Sequence, residues 1–213
     1  MSLETLIIYL IILLFSAILH EIAHGAVAEY FGDDTARRMG RITLNPIVHI
    51  DPYFTILVPL LLVLSGSPVI FGAAKPVPVN YGNLRNFRWG VFWVSMAGIL
   101  TNLFLALAFS LPLHFNNISD PVRQLFTEIV VVNVFLAVIN MIPIPPIDGS
   151  KAVAALLGEG AIYRIMRIEM RGLIGILPFI ILIYFLFATQ AFQGILIPVA
   201  QFFFRLFGVN IAL

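Results

Sequence analysis

The chain has no cysteine and very little charge. Only 11% of its 213 residues are Asp, Glu, Lys or Arg, against roughly 25% in soluble domains, while 61% are hydrophobic. This composition indicates an integral membrane protein. Without cysteine there are no disulfide bonds or thiolate zinc sites, so any metal must be held by His, Asp or Glu. The formal net charge of +1 argues against nucleic-acid binding, which needs a concentrated basic face.

Six apolar segments are candidates to enter the hydrocarbon core of a membrane, which a helix of about 20 residues spans. They comprise residues 4–31, 53–71, 87–113, 122–142, 173–187 and 192–207. The last two are separated by a short turn and are predicted to form a helical hairpin. We therefore expect an all-α, multi-pass integral membrane protein. It would be a helix bundle with five to six membrane segments in a single domain, 1–213, with short extended or β segments near the active site.

Basic residues are concentrated in three connections, residues 32–52, 72–88 and 149–172. Residues 1–4 and 114–122 contain no Lys or Arg. The positive-inside rule therefore places the three basic connections in the cytoplasm.

The segment 53–71 has a basic connection on both sides, which a single span across the membrane does not permit. Pro59 and the Ser-Gly-Ser-Pro sequence at 65–68 interrupt its helical pattern. We predict that this segment re-enters the membrane and returns to its starting side. A spanning pair of short helices is the alternative.

The pentad HEIAH at residues 20–24 lies at the end of the first apolar run. A helix through it places His20 and His24 one turn apart on one face, where two imidazoles can hold one zinc ion. Glu21 then projects beside them as a candidate general base. The pentad alone is a weak signal, but ionisable groups in an apolar helix are costly unless they have a function.

Catalytic zinc commonly takes a third protein ligand. Asp148 follows an apolar segment in the sequence NMIPIPPIDG, whose three prolines prevent a continuous helix. Irregular backbone at membrane depth occurs only where it is buried in protein or lines a wet cavity. Asp148 is therefore the predicted third ligand, and Asp51 is the second choice. For His49 and Asp51 a structural role in their turn is favoured over a substrate gate.

Five motifs in order resemble the site-2 protease family of intramembrane zinc metalloproteases: HEIAH, GRITLNPIVHIDP, FGAAKPVPVN, AGILTN and NMIPIPPIDG. The resemblance covers roughly residues 10–160. It departs from the family at Ile99, where proline usually follows the Ala-Gly pair. PDZ and CBS domains, which many relatives carry, are not recognisable, so the chain resembles a minimal core member. Its catalytic core is expected at about residues 4–150 and its helical hairpin at about 172–208.

The resemblance implies one zinc ion per chain and a set of site residues. These are Glu21 as general base, His20, His24 and Asp148 as zinc ligands, and Asn102 and Asn140 near the site. One of the two, Asn140 in preference to Asn102, would donate a hydrogen bond to the substrate backbone or the oxyanion. For Asn102 a hydrogen bond that joins two helices is an equal alternative. The extended stretch 75–79 would pair with an unwound substrate as an added strand.

The expected activity is hydrolysis of peptide bonds in or next to transmembrane segments, which is regulated intramembrane proteolysis. Transmembrane proteins would be the substrates and the lipid bilayer the surroundings, in a prokaryotic plasma membrane with the active site nearer the cytoplasmic side. Two alternatives are a non-proteolytic metal-binding scaffold and a cation transporter. Glu21 beside both histidines argues against the first. Clustering of the charges at one site argues against the second.

Overall fold

The computed structural model of the protein describes residues 2–65, 72–115, 117–172 and 192–211, together with 175, 177–178 and 181–182. Across these residues every regular element is helical and no strand is present. Three helices are long and apolar enough to span a membrane: α1 (Leu3–Tyr30), α4 (Phe87–Ser110), which continues as a 3₁₀ turn to His114, and α5 (Asp120–Asn140). The protein is thus a membrane protein that is all-helical over its described residues, with three helices that can span a bilayer where the sequence predicts five to six membrane segments.

Shorter helical elements connect and flank these three. Between α1 and α4 lie α2 (Thr35–Arg38), the 3₁₀ turn Pro46–His49, the π-helical turn Pro52–Leu57 that continues as α3 (Val58–Leu64), and the 3₁₀ turn Tyr81–Asn83. After α5 come α6 (Asp148–Leu157), α7 (Glu159–Glu169), the π-helical turn Phe192–Leu196 and α8 (Ile197–Leu206). The predicted segment 173–187 lies largely outside the described residues.

The three long helices alternate in direction. Along α1, His20 contacts Asn102 of α4 and the later His24 contacts the earlier Val94, so α1 and α4 are antiparallel. Asn133 of α5 in turn contacts both Asn102 of α4 and Ser16 of α1. The carboxyl ends of α1 and α5 and the amino end of α4 therefore lie at one end of the bundle.

The chain between α1 and α4 leaves and returns at that same end. The amide of Ala73 donates to the carbonyl of Phe54 at 3.1 Å, and the hydroxyl of Thr55 donates to the carbonyl of Ala73 at 2.7 Å. The two ends of the segment 53–71 therefore lie side by side, as both re-entry and a spanning pair of short helices require. Residues 66–71 of this segment are outside the described residues.

Two contacts fix α6, the helix that begins with Asp148. Arg88 of α4 donates to the carbonyls of Ala155 and Leu156 at 2.7 Å each, which satisfies two acceptors at the carboxyl end of α6. Lys151 pairs with Glu169 at the end of α7 at 2.6 Å. Helix α6 is thus held between α4 and α7.

Because the chain has no native cysteine, single cysteines can test this topology. Cysteines at the exposed positions Met39 and Arg85 should react with a membrane-impermeant maleimide from the same side of sealed vesicles. A cysteine at exposed Asn117, between α4 and α5, should react from the other side. Labelling of Met39→Cys and Arg85→Cys from opposite sides would contradict the shared end.

Candidate metal centre

Three potential metal ligands converge where α1 passes the amino end of α6. The Nε2 atoms of His20 and His24 are 3.0 Å apart. Oδ2 of Asp148 lies 3.1 Å from Nε2 of His20 and 3.2 Å from Nε2 of His24. Among the described residues, this is the one group of three or more such side chains close enough to hold a metal ion. The structure therefore brings the three predicted ligands together.

The spacing of these atoms fits zinc. Ligand atoms about 2.0–2.2 Å from a tetrahedral zinc ion lie roughly 3.3 Å from one another, close to the 3.0–3.2 Å separations of this group. Two imidazoles and one carboxylate are also a ligand set of catalytic zinc sites, which keep a fourth position open. His20 and His24 are buried, at 7% and 8% exposure. These residues could thus hold a zinc ion in a largely dry environment.

A hydrogen bond at Nδ1 of each imidazole determines that Nε2 faces the candidate metal position. Nδ1 of His20 lies 2.6 Å from Oδ1 of Asn102, and Nδ1 of His24 lies 2.6 Å from the carbonyl oxygen of Val94. Both oxygens only accept, so each Nδ1 carries the proton and each Nε2 presents its lone pair inward. With the carboxylate of Asp148, three acceptors converge with no proton between them. A cation stabilises such an arrangement.

Gly98 allows α4 to come this close to α1. A Cβ at this position would lie 2.4 Å from atoms of the His20 ring, well inside van der Waals contact. Small residues permit close helix packing in membranes, and Gly98 has that role directly behind a candidate ligand.

Asp148 reaches the centre because the chain turns sharply between α5 and α6. Gly149 lies against the backbone of Met141, where a Cβ would come within 2.4 Å of the carbonyl oxygen. The hydroxyl of Ser150 donates to the carbonyl of Ile147 at 2.7 Å and closes the first turn of α6. The proline-rich turn thus positions the carboxylate, and a larger residue at 149 would push it away.

A buried chain of side-chain amides supports His20 from behind. Asn102, fully buried, donates from Nδ2 to Oδ1 of Asn133 at 2.9 Å. Asn133, also fully buried, donates to Oγ of Ser16 and to the carbonyl of Ile129, each at 2.9 Å. Both ends of each amide are engaged, which orients Oδ1 of Asn102 toward His20. The sequence analysis did not identify Asn133 or Ser16. The available signal for Asn133 was a single amide within the apolar run of α5.

Glu21, the predicted base, contacts the extended stretch that precedes α4. Its Oε2 accepts a hydrogen bond from the amide of Val77 at 2.7 Å. No partner of its Oε1 is found among the described residues, and the side chain is half-buried. Glu21 therefore lies beside the two histidines with one oxygen held and the other available to a water molecule.

Two buried side chains anchor this extended stretch, residues 72–80. Arg41 donates to the carbonyl oxygens of Lys75 and Pro76 at 2.8 and 3.3 Å. Asp33 accepts from the amide of Asn80 at 2.7 Å and from Nδ2 of Asn83 at 2.9 Å. The stretch is thus fixed in its middle by Arg41 and Glu21 and at its end by Asp33, although it is not paired as a strand.

Asp33 is completely buried yet remains a carboxylate. Burial alone raises its pKa, but hydrogen bonds from Thr35, Asn83 and the backbone of Asn80 outweigh that effect and lower the pKa below its usual value. The anchor is therefore charged at neutral pH.

The remaining predicted residues are not part of this group. Nδ2 of Asn140 donates to the carbonyl of Leu136 in its own helix. His49 is fully buried, with Nε2 bonded to the carbonyl of Thr43. Asp51 accepts from two backbone amides and caps the turn that follows it. The contacts of Asp51 are thus local to its turn, whereas the carbonyl oxygen of His49 also accepts from the amide of Lys75 at 2.7 Å and joins the turn to the stretch 72–80.

Comparison with known proteins gives relatives of one kind. The chain is 37% identical over 176 residues to "Putative zinc metalloprotease YwhC" of Bacillus subtilis, which covers 78% of this chain and 77% of that protein. The chain belongs to the site-2 protease family. It is 32% identical over 141 residues to "Putative zinc metalloprotease Rip2" of Mycolicibacterium smegmatis. The aligned region is 64% of this chain and 52% of the relative. No family model and no solved structure matches the chain.

In this site-2 protease family member, Gly98→Ala should weaken zinc binding about tenfold or more, because the added methyl group displaces His20. Chelator competition on the purified variant measures the affinity. Gly160→Ala is the matched control, since a Cβ there meets no atom within 4 Å. Equal zinc affinity for both variants would show that the position of the His20 ring does not depend on the close approach of α4 at Gly98.

Asn133→Leu should lower zinc affinity by about 10- to 100-fold, the usual effect of losing an outer partner of a metal ligand. The reason is that Asn102 loses the acceptor that orients its amide. Asn140→Leu removes an asparagine from the same helix that bonds only to its own backbone, so it should leave zinc affinity unchanged. An effect of equal size in both variants would point to general destabilisation of α5.

Asp148→Asn should lower the zinc content of the purified protein substantially, because a neutral amide replaces the anionic ligand. Asp51→Asn is the comparison, since its carboxylate caps a turn and does not face the histidines. Elemental analysis gives the metal content. Zinc loss on changing Asp51 and not Asp148 would reverse the assignment of the third ligand.

Proposed function

We propose that this protein is an intramembrane zinc metalloprotease, which cleaves peptide bonds in or next to the transmembrane segments of membrane proteins. The observation that carries this proposal is the position of the candidate ligands along helices that can span a bilayer. His20 and His24 lie ten and six residues before the end of α1 at Tyr30, which is about 15 and 9 Å along a helix. Val94 lies seven residues after the start of α4 at Phe87, about 10 Å along it.

The chemistry follows from the side chains at this depth. A zinc ion held by His20, His24 and Asp148 would supply acidification of water and polarisation of a carbonyl group. Glu21 would remove the proton from the attacking water and deliver it to the leaving amine. Asn102 would orient His20, since both ends of its amide are engaged there. Asn140 remains the proposed hydrogen-bond donor to the substrate or the oxyanion.

An apolar cavity of about 410 Å³ lies along α1 and ends at Ala17, one turn before Glu21. One wall is the face of α1 that carries Leu6, Leu10, Leu13 and Ala17, and Glu21 is one turn beyond Ala17 on that face. The other wall is formed by residues of the segment 55–63 and by residues 72–74. We propose that the apolar part of a substrate segment occupies this space.

The stretch 75–79 would receive the unwound part of the substrate. Among the described residues, neither the amide of Val79 nor the carbonyl of Val77 has a hydrogen-bond partner. These groups are available to an added strand. Their neighbour, the amide of Val77, is bonded to Glu21, so a substrate paired here would lie next to the proposed base.

The membrane side is proposed from the distribution of charge. Arg37, Arg85 and Arg164 belong to three connections that meet at the end of the bundle where α1 ends and α4 begins. The positive-inside rule then favours the cytoplasm for that end. The active site would lie nearer the cytoplasmic face of a prokaryotic plasma membrane, in a multi-pass protein with one zinc ion.

Glu21→Gln should keep the zinc content of the wild type and slow cleavage of a transmembrane peptide about 10²- to 10⁴-fold, because the base is lost and the ligands are not. Purified, zinc-loaded protein is assayed in bilayers by mass spectrometry of the products. Glu128→Gln on α5 is the matched control and should cleave normally, because Glu128 is half-buried and its carboxylate accepts from Gln124 of its own helix. Cleavage that survives in Glu21→Gln would remove Glu21 as the base. A zinc-loaded wild type that cleaves no transmembrane peptide would favour the metal-binding scaffold.

A further inference from the structure

Helix α7 and the turn after it expose three arginines on one face. Arg164, Arg167 and Arg171 follow one another at helical spacing, and all are exposed. The opposite face of α7 packs into the protein through Ile162, which is fully buried. The helix is therefore amphipathic, with a basic outer face. We call these three residues the arginine face.

The arginine face has no acidic partner. All eleven Asp and Glu of the chain are among the described residues, and the ion pairs between opposite charges join Arg37 to Glu29, Arg38 to Asp34 and Lys151 to Glu169. Glu169 lies close to the arginines in sequence, but its carboxylate is bonded to Lys151. Three positive charges are thus left for a partner outside the protein.

Aromatic side chains place α7 at the level of the membrane interface. Tyr163 stacks on Phe87, the first residue of α4, with ring centroids 5.0 Å apart and planes 19° apart. Trp89 and Trp93 follow in the first two turns of α4 and are 43% and 46% exposed. Exposed tryptophan and tyrosine mark the interface between hydrocarbon and headgroups. Leu157 at the end of α6 is also exposed, at 77%.

We propose that the arginine face is a binding surface for the headgroups of anionic phospholipids in the leaflet where α4 begins. Guanidinium groups match phosphate geometry with paired N–H donors, and basic clusters on interfacial helices attract anionic lipids. The face combines the required charge, exposure and depth. It does not depend on the proposed proteolysis, only on the placement of α4 in a bilayer.

Binding at this surface connects to the metal centre through two contacts. Helix α7 is held to α6 by the Lys151–Glu169 pair, and α6 begins with Asp148. A headgroup held by the arginine face therefore stabilises the pair of helices that positions one candidate zinc ligand.

The two tryptophans of the chain, Trp89 and Trp93, are reporters for this surface because they lie in the first two turns of α4, whose first residue stacks on Tyr163 of α7. Full-length, zinc-loaded protein is reconstituted in phosphatidylcholine bilayers that contain equal fractions of brominated phosphatidylglycerol or brominated phosphatidylcholine. Quenching of tryptophan fluorescence then gives their relative binding constants. We expect a preference for phosphatidylglycerol of about fivefold or more, which falls to near one in the triple variant Arg164→Gln, Arg167→Gln, Arg171→Gln.

The matched control, Arg37→Gln, Arg38→Gln, Arg123→Gln, removes three arginines elsewhere and should retain the preference. Replacing the three arginines with lysines should retain part of the preference for phosphatidylglycerol. The single variant Arg167→Gln should reduce this preference, and it serves as the test if the triple variant does not fold. Equal quenching by both lipids in the wild type, or an unchanged preference in the glutamine variants, would overturn the proposal. Displacement of the lipid by inorganic phosphate at matched ionic strength would indicate a site for free phosphate. Binding of soluble polyglutamate without lipid preference would indicate an acidic protein partner.

Discussion

His20 and His24 lie among apolar helices, and each ring nitrogen of these two histidines needs a polar partner. The arrangement of the long helices depends on this requirement. An unpaired polar group in such surroundings costs several kcal/mol, since no bulk water is at hand. Each imidazole therefore donates from Nδ1 to a fixed oxygen, that of Asn102 or Val94, and keeps Nε2 for the centre. Both oxygens belong to α4, so α4 has to lie against α1 over two turns. Gly98 between them is what permits that distance.

The same requirement extends outward to α5. An asparagine behind His20 has an amide group as well as an oxygen, and in a buried position both need partners. Asn133 accepts from that amide and donates its own to Ser16 and the backbone. The candidate metal centre is thus supported by all three long helices and by α6. Packing of apolar side chains brings the helices together, while this chain of amides specifies one register among them.

The parts of the centre that could be predicted from sequence are those with local geometry. The pentad on a helix fixes the relation of His20 to His24, and the proline-rich stretch marks Asp148 as a functional carboxylate. Asn133 could not be paired with Asn102 in the same way, because their contact depends on the register between two helices. The length of an apolar segment likewise shows that it enters a membrane, but whether the segment crosses depends on the side at which each of its ends lies. Basic residues on both sides of 53–71 predict that its two ends lie on the same side, and the contact of Phe54 with Ala73 agrees with that prediction.

The bond between Glu21 and Val77 couples the proposed base to the proposed substrate edge. A free glutamate side chain samples several rotamers, whereas one oxygen held by a backbone amide leaves the other in a limited range of positions. The amide is itself held, because Arg41 and Asp33 fix the stretch on either side of it. A substrate strand that pairs with this edge therefore contacts the element that orients the base. In the proposed reaction, residues as distant as Asp33 would then act through the backbone alone, without touching substrate or metal.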